Sequence, residues 1–293
     1  MKTLVTGSTG FIGQHLLTEL AQRQLPYAAL MRAHLRETSA LSDWAGGCII
    51  HLAGRAHVME ETTSDPLAAF RAANCDYAVQ VAKQAALAGV KRLVYVSSIG
   101  VNGGQTVDSP YTESHAPTPH TLYAQSKYEA EMALTHLAAQ ASLELVIVRP
   151  PLIYGANAPG NFARLWQWTN SGWPLPLGAI HNRRSLLYVK NLVDFLILCT
   201  HHPKAANQTF LLSDGEDVST TELLQALAKA KGTPSRLLPV PAAWLSAAMR
   251  LLGKGDMAQR LLSNLQIDSS KARHVLGWTP PFDFGAAVQD MLA

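Results

Sequence analysis

Apolar residues fall first into compact runs and then into helical spacing, and the two patterns alternate. Residues 2–6, 27–31, 48–52, 91–97 and 143–149 carry short apolar runs without strict alternation, which predicts strands buried on both faces. Between them, residues 13–23 place Leu16, Leu17 and Leu20 on one helical face. Residues 65–88 form a long helical stretch broken at Gly89, and residues 123–140 a helix with Glu129, Glu131 and Gln140 on its wet side. Strand and helix in alternation predict an α/β chain with a parallel sheet and right-handed crossovers. From Gly155 the texture changes. Residues 155–178 are loop-rich, with Trp166, Trp168 and Trp173. Residues 188–200 read as a helix, 209–212 as a short strand, and 220–231 and 242–252 as helices. Residues 268–276 run into Gly277-Trp-Thr-Pro-Pro281. Residues 1–155 with about 186–212 are expected to form a nucleotide-binding domain. About 156–185 with 213–293 are expected to form a smaller lobe, the chemistry lying in the cleft between them.

Composition narrows the classes. The 293 residues leave room for a large core, and 48% apolar against 15% charged residues excludes a disordered chain. A net charge of +3 without a Lys/Arg block makes nucleic acid an unexpected partner. Cys48, Cys75 and Cys199 are far apart and have no metal spacing, so they read as small buried hydrophobes in a reducing, cytoplasmic setting. Gly7 interrupts the Leu4-Val5 run at once, so a signal peptide is not expected. No stretch approaches the roughly 20 apolar residues of a membrane span. The pair His201-His202 reads as solvated rather than metal-binding.

Three motifs carry chemistry. The first is Thr6-Gly7-Ser-Thr9-Gly10-Phe11-Ile12-Gly13, set between a strand and a helix. Gly7 suits the tight turn, Gly10 a close approach of backbone to a pyrophosphate, and Gly13 close packing of helix on strand. The helix N-terminus then offers free N–H groups to phosphates. Small residues in His51-Leu52-Ala53-Gly54 leave room on the adenosine side, and His51 itself reads as packed. An acid at the end of the second strand would mark NAD(H). Arg32 stands there instead, followed by His34 and Arg36, which favours NADP(H) with NAD(H) as the alternative. The third motif is the hydroxyl and lysine group. Tyr123 and Lys127 lie four apart on one helix face, and Ser98 ends a parallel strand. A hydride moves at carbon only if a proton moves at the attached oxygen, and a tyrosine phenol can carry it. The lysine charge favours phenolate and can also reach the nicotinamide ribose. Asn74 reads as structural.

These pieces resemble the extended short-chain dehydrogenase/reductase family, the nucleotide-sugar epimerases, dehydratases and reductases. The likeness spans the chain and includes Val96-Ser-Ser98-Ile-Gly-Val-Asn-Gly103 and Arg149-Pro150-Pro151-Leu-Ile-Tyr-Gly155. It implies a Rossmann-like doubly wound parallel sheet with a smaller C-terminal substrate-binding lobe. It also implies a catalytic group of Ser98, Tyr123 and Lys127, and nicotinamide contacts from Pro150 to Ile153. Asn161, Arg184 and Arg260 fall where the family binds a nucleotide diphosphate, a task that suits the planar guanidinium. The residues 51–59, 178–185 and 212–217 resemble bacterial O-antigen and capsule enzymes that reduce UDP-4-keto-6-deoxy-N-acetylhexosamine. The family's habit of pairing helices such as 65–88 and 123–140 implies a homodimer. One departure stands out: only 18 residues separate Arg32 from His51, too few for the strand and acidic adenine-contacting turn usual there, with Asp43 a weak substitute.

Three reactions compete under this resemblance. The family's dehydratases carry an acidic pair where this chain has Ile99-Gly100, so dehydration is disfavoured. A 4-epimerase keeps its cofactor through the cycle, which suits tight NAD(H) binding. A reductase releases it, which suits an arginine-marked site, and is the favoured reading. A non-catalytic dinucleotide sensor would have no need of the Tyr123–Lys127 pair.

Overall fold

Each central strand sends alternate apolar residues to opposite faces, and this alternation builds two cores on one sheet. The computed structural model describes residues 1–33, 41, 43–56, 63–170 and 172–292. In chain order the first half runs β1 (Thr3–Thr6), α1 (Phe11–Gln22), β2 (Tyr27–Ala29), β3 (Cys48–His51), α2 (Pro66–Arg71), a π-helical turn (Ala72–Asp76), α3 (Tyr77–Leu87), β4 (Arg92–Val96), α4 (Leu122–Ala141) and β5 (Glu144–Arg149). The second half runs β6 (Leu152–Tyr154), α5 (Asn161–Asn170), β7 (Arg184–Tyr188), α6 (Val189–His201), β8 (Gln208–Leu211), β9 (Asp217–Val218), α7 (Thr220–Ala230), α8 (Ala242–Leu251), α9 (Gly255–Leu262), α10 (Ser270–Leu276) and α11 (Phe284–Asp290).

The main sheet has the order β2-β1-β3-β4-β5-β8, every pair parallel. Thr3 stands opposite both Tyr27 and Cys48, Cys48 opposite Arg92, and Arg92 opposite Glu144. Val5, Ile50, Val94 and Val146 face α1, α6 and α10, where Leu16, Phe195 and Leu276 close the core. Leu4, Ile49, Leu93 and Leu145 face α3 and α4, where Val81, Ala85, Ala130 and Leu134 close the other. This is the doubly wound parallel sheet that the alternating pattern predicts. Its strand order reverses direction between β1 and β3, and ligands of such sheets bind beyond the strand ends at that point. Among the described residues between β2 and β3 no further strand appears, so β2 is the sheet edge. His34, Arg36 and the residues 57–59 lie outside the described residues.

The second half departs from the sequence expectation in several places. Residues 155–178 contain α5, whose Phe162 and Leu165 enter a third core with Tyr154, Leu186, Leu224 and Val288. β6, β7 and β9 form a separate three-stranded sheet, and α9 and α11 are helices that the apolar spacing did not suggest. The long stretch 65–88 is not one α-helix: the π-helical turn divides it and buries Asn74 completely. The chain leaves the main sheet at Pro150-Pro151, returns with α6 and β8, and leaves again beyond Leu211. Among the described residues no helix is long and apolar enough to cross a membrane, and no three His, Cys, Asp or Glu gather as a metal site.

Candidate active site

The glycine loop joins β1 to α1 at the reversal point. Gly7 takes φ of 69°, and Gly10 donates to the Gly7 carbonyl at 3.0 Å. No side chain caps α1 at Gly10. A methyl group at Gly7 would lie 2.7 Å from the Ala53 nitrogen, and one at Gly13 would lie 2.2 Å from the Gly7 oxygen. The loop is thus pressed against Leu52 and Ala53 at the exit of β3, with Thr9 in the loop and Phe11 and Ile12 in the uncapped first turn of α1. A bare helix N-terminus behind a side-chain-free turn fits a pyrophosphate, so these residues suit a dinucleotide. His51 is packed as expected. It pairs with Thr6 Oγ1 at 3.0 Å, stacks on Tyr95, and burial pushes its pKa down to about 3, so it stays neutral.

Arg32 lies just past β2 with its guanidinium 4.5 Å from the centre of the Tyr77 ring. The exposed cation is therefore held by an aromatic face on α3, a partner that sequence spacing did not bring to notice.

The hydroxyl and lysine group assembles at the end of β4. Thr121 caps α4 by accepting from the Ala124 N–H at 3.1 Å, which sets Tyr123 in the first turn. Ser98 accepts from the Gly100 N–H at 3.1 Å and lies near enough to the Tyr123 phenol to pull its pKa down. Burial pushes the Tyr123 phenol up to about 12, against the pull of Ser98. Lys127, one turn on, is buried, and this dry setting lowers its pKa to about 8 while Glu131 opposes the fall. In this structure the Lys127 ammonium is engaged by backbone. Its Nζ donates to the Val96 carbonyl at 2.8 Å and sits 4.6 Å from the Tyr95 ring centre, and Tyr123 stays a phenol. The strand-end carbonyl offers the ammonium an acceptor in a place where leaving it unpaired would be costly.

Asn74 holds the floor of this group. Its Oδ1 accepts from the Arg55 N–H at 2.7 Å, and its Nδ2 donates to the Arg55 carbonyl at 3.1 Å and to Ser126 Oγ at 2.9 Å. A methyl group at Gly54 would meet Asn74 Oδ1 at 2.8 Å and Lys127 Nζ at 3.7 Å. The π-helical turn, the β3 exit and α4 therefore share one contact. A second support was not anticipated. Glu131 is buried rather than wet, and Arg149 grips it from Nε at 3.0 Å and Nη2 at 2.5 Å. Arg149 Nη1 also donates to Asn102 Oδ1 at 2.9 Å. The ion pair joins α4 to the end of β5, directly before Pro150, whose carbonyl accepts from Ile99 at 2.9 Å. Ile99 itself is buried.

Asn161, Arg184 and Arg260 lie elsewhere, and together. They line a cavity of about 330 Å³ that also takes in Leu152, Leu186 and Trp168. Asn161 opens α5, Arg184 opens β7, and Arg260 closes α9. Arg184 donates to the Ser263 carbonyl at 2.8 Å, and among the described residues no carboxylate pairs with it. Burial lowers its pKa to about 10, so it is still a cation at neutral pH. Ser98, Tyr123 and Lys127 do not line this cavity. Ile153, half-buried in β6, packs against both the main-sheet core and the third core.

The chain is 40% identical over 296 residues to a UDP-glucose 4-epimerase of Vibrio cholerae, covering 95% of this chain and 90% of the relative. A UDP-glucose 4-epimerase of Thermotoga maritima, solved with UDP-glucose, superposes with a TM-score of 0.77 at 20% identity, over 100% of this chain and 97% of that one. RMD of Pseudomonas aeruginosa, complexed with NADPH, also superposes at 0.77, with 21% identity over 100% of this chain and 98% of that one. These two structures share the fold. Residues 3–212 match the NAD dependent epimerase/dehydratase family, and with the 40% relative this makes the protein a member of that family.

Proposed function

We propose that the protein is an NAD(P)-dependent oxidoreductase working at C4 of a UDP-sugar, and that it reduces the C4 ketone of a UDP-4-keto-6-deoxy-N-acetylhexosamine. The observation that carries the reading is the gathering of Ser98, Tyr123 and Lys127 at the end of β4, next to the glycine cradle. Gly7, Gly10 and Gly13 would hold the pyrophosphate, Leu52 to Gly54 the adenosine side, and Pro150 and Ile153 the nicotinamide side. Arg32 would meet a 2′-phosphate, which favours NADP(H). When bound, such a dinucleotide supplies hydride exchange at a carbinol carbon.

The chain's own work is proton movement and positioning. Tyr123 Oη, a phenol at neutral pH, donates its proton to the C4 oxygen as that oxygen gains charge. Ser98 Oγ donates a hydrogen bond to the same oxygen. Lys127 leaves the Val96 carbonyl for the ribose hydroxyls and steadies the developing phenolate. Arg184, Asn161 and Arg260 hold the diphosphate in the cavity, with Leu152 beside them at the start of β6. The same residues run in reverse would take a proton from a C4 hydroxyl. The 40% identity to a UDP-glucose 4-epimerase therefore supports a second reading, 4-epimerisation with cofactor retained.

The deciding experiment follows absorbance at 340 nm with NADPH or NADH and UDP-4-keto-6-deoxy-N-acetylglucosamine. Consumption of one reduced cofactor per sugar supports the reductase, and the preferred coenzyme tests Arg32. No consumption, with UDP-glucose or UDP-N-acetylglucosamine turned into its C4 epimer instead, replaces reduction by epimerisation.

A further inference from the structure

Helix α8 has no buried residue, although only Ser246 and Arg250 in it are polar. Its inner stripe, Ala242, Leu245 and Met249, is half-buried, and Ala242 and Leu245 pack on the third core. Its outer stripe is Trp244, Ala247, Ala248 and Leu251, at the i, i+3, i+4, i+7 spacing of one helical face, and all four are exposed. Trp244 is 72% exposed, Leu251 89% and the adjoining Leu252 71%. Leu238, just before the helix, extends the surface at 50%. A surface helix in water normally turns a polar face outward, and this one turns tryptophan and leucine outward.

Charge indicates what covers it. From 223 to 255 the chain carries Lys229, Lys231, Arg236, Arg250 and Lys254 and has no Asp or Glu at all. The whole protein is only +3, so this segment concentrates the positive excess. Lys231 lies over the Trp166 ring at 3.9 Å, while Lys229, Arg236, Arg250 and Lys254 are exposed. A second copy of the same face would bring like charges together. An anionic bilayer would accept both features, the apolar stripe in its headgroup region and the cations at its phosphates.

We propose that α8 and its flanks dock the protein on the surface of an anionic lipid bilayer without spanning it. Trp244, Leu251 and Leu252 enter the headgroup layer, and Arg236 and Arg250 meet lipid phosphates. The inference is independent of the reaction assigned above, because none of these five residues lines the cavity or the group at the end of β4. It does bear on the site's surroundings, since α8 leads through Gly253 into α9, whose Arg260 lines the cavity.

The test is sedimentation of the full chain with vesicles of defined lipid. Most of the protein should pellet with phosphatidylglycerol vesicles at low salt. Several-fold less should pellet with phosphatidylcholine vesicles or at high salt. The double variant Trp244→Ser/Leu251→Ser, and separately Arg250→Glu, should each cut the bound fraction several-fold with thermal midpoint and cofactor turnover unchanged. If the double variant is unstable, Arg250→Glu decides alone. Absence of binding to anionic vesicles, or binding that ignores lipid charge, salt and Arg250→Glu, overturns the proposal. So does a dimer in sizing that Trp244→Ser/Leu251→Ser splits while vesicles bind neither form, which would make the face an interface between copies.

Discussion

Tyr123 and Lys127 are tuned by burial rather than by each other. The phenol sits near 12 and the ammonium near 8, so between those values one is neutral and the other is losing its charge. A protonated Tyr123 at pH 7 suits a proton donor. Tyr123→Phe should therefore lower turnover by about 10²–10⁴, the usual worth of a positioned acid, while dinucleotide affinity by calorimetry changes little. Turnover near that of the parent would remove Tyr123 from the proton path. The lysine gives a separate, pH-dependent signal. Its folded pKa of about 8 lies below the ordinary 10.5, so between those values the unfolded chain binds more protons and stability through this group rises with pH. Tyr123 acts oppositely: its folded value lies above 10, so stability through it falls as pH rises from 10 towards 12. Thermal midpoints of the parent should thus gain from pH 8 to 10 relative to Lys127→Met, and parallel curves for the two would mean the lysine is not held in a dry site.

At the scale of elements, the site depends on α4 being held in register with the main sheet. The Arg149–Glu131 pair does this from inside, where both side chains are less than a tenth exposed. Breaking a buried pair leaves an uncompensated charge, at a cost of about 3–5 kcal/mol. Glu131→Ala should lower the melting temperature accordingly, and joint replacement of Arg149 and Glu131 by apolar residues should recover part of the loss. A single variant as stable as the parent would show the pair to be incidental. That pairing also marks where reading the sequence stops. β1, β3, β4 and β5 are legible because a strand buried on both faces must be apolar throughout, and the grouping of Ser98, Tyr123 and Lys127 because a strand end and an i, i+4 pair on the next helix come to one place. Glu131 looks wet because its partner lies 18 residues away at a strand end. Tyr77 escapes notice as a partner of Arg32 because it reaches across from α3. β6, β7 and β9, of 3, 5 and 2 residues, hold their places through pairing with distant chain and show no period of their own. The π-helical turn escapes notice because such turns are rare and no residue type in Ala72–Asp76 announces one.

Over the whole molecule, the two sheets carry different groups: the main sheet presents Ser98, Tyr123 and Lys127, and the smaller sheet with its helices presents cations. That division makes a prediction about kinetics rather than stability. Arg184 is half-buried, lacks a carboxylate partner among the described residues and borrows only the Ser263 carbonyl, so a substrate phosphate would complete its pairing. A charge-assisted hydrogen bond contributes about 1.5–3 kcal/mol, which corresponds to roughly 10–150-fold in affinity. Arg184→Ala should raise KM for the UDP-sugar by about that factor and change kcat much less, the signature of binding lost equally from ground and transition states. Arg184→Lys should recover only part, because an ammonium cannot make the paired contacts of a guanidinium. Arg260, exposed at the end of α9, should matter less, under about tenfold, since water screens its charge. Affinity for the dinucleotide should be unmoved in all three, because its cradle lies on the other sheet. A fall in kcat with KM unchanged would mean instead that the cavity shapes the reacting sugar, and the separation of binding from proton transfer between the two sheets would not hold.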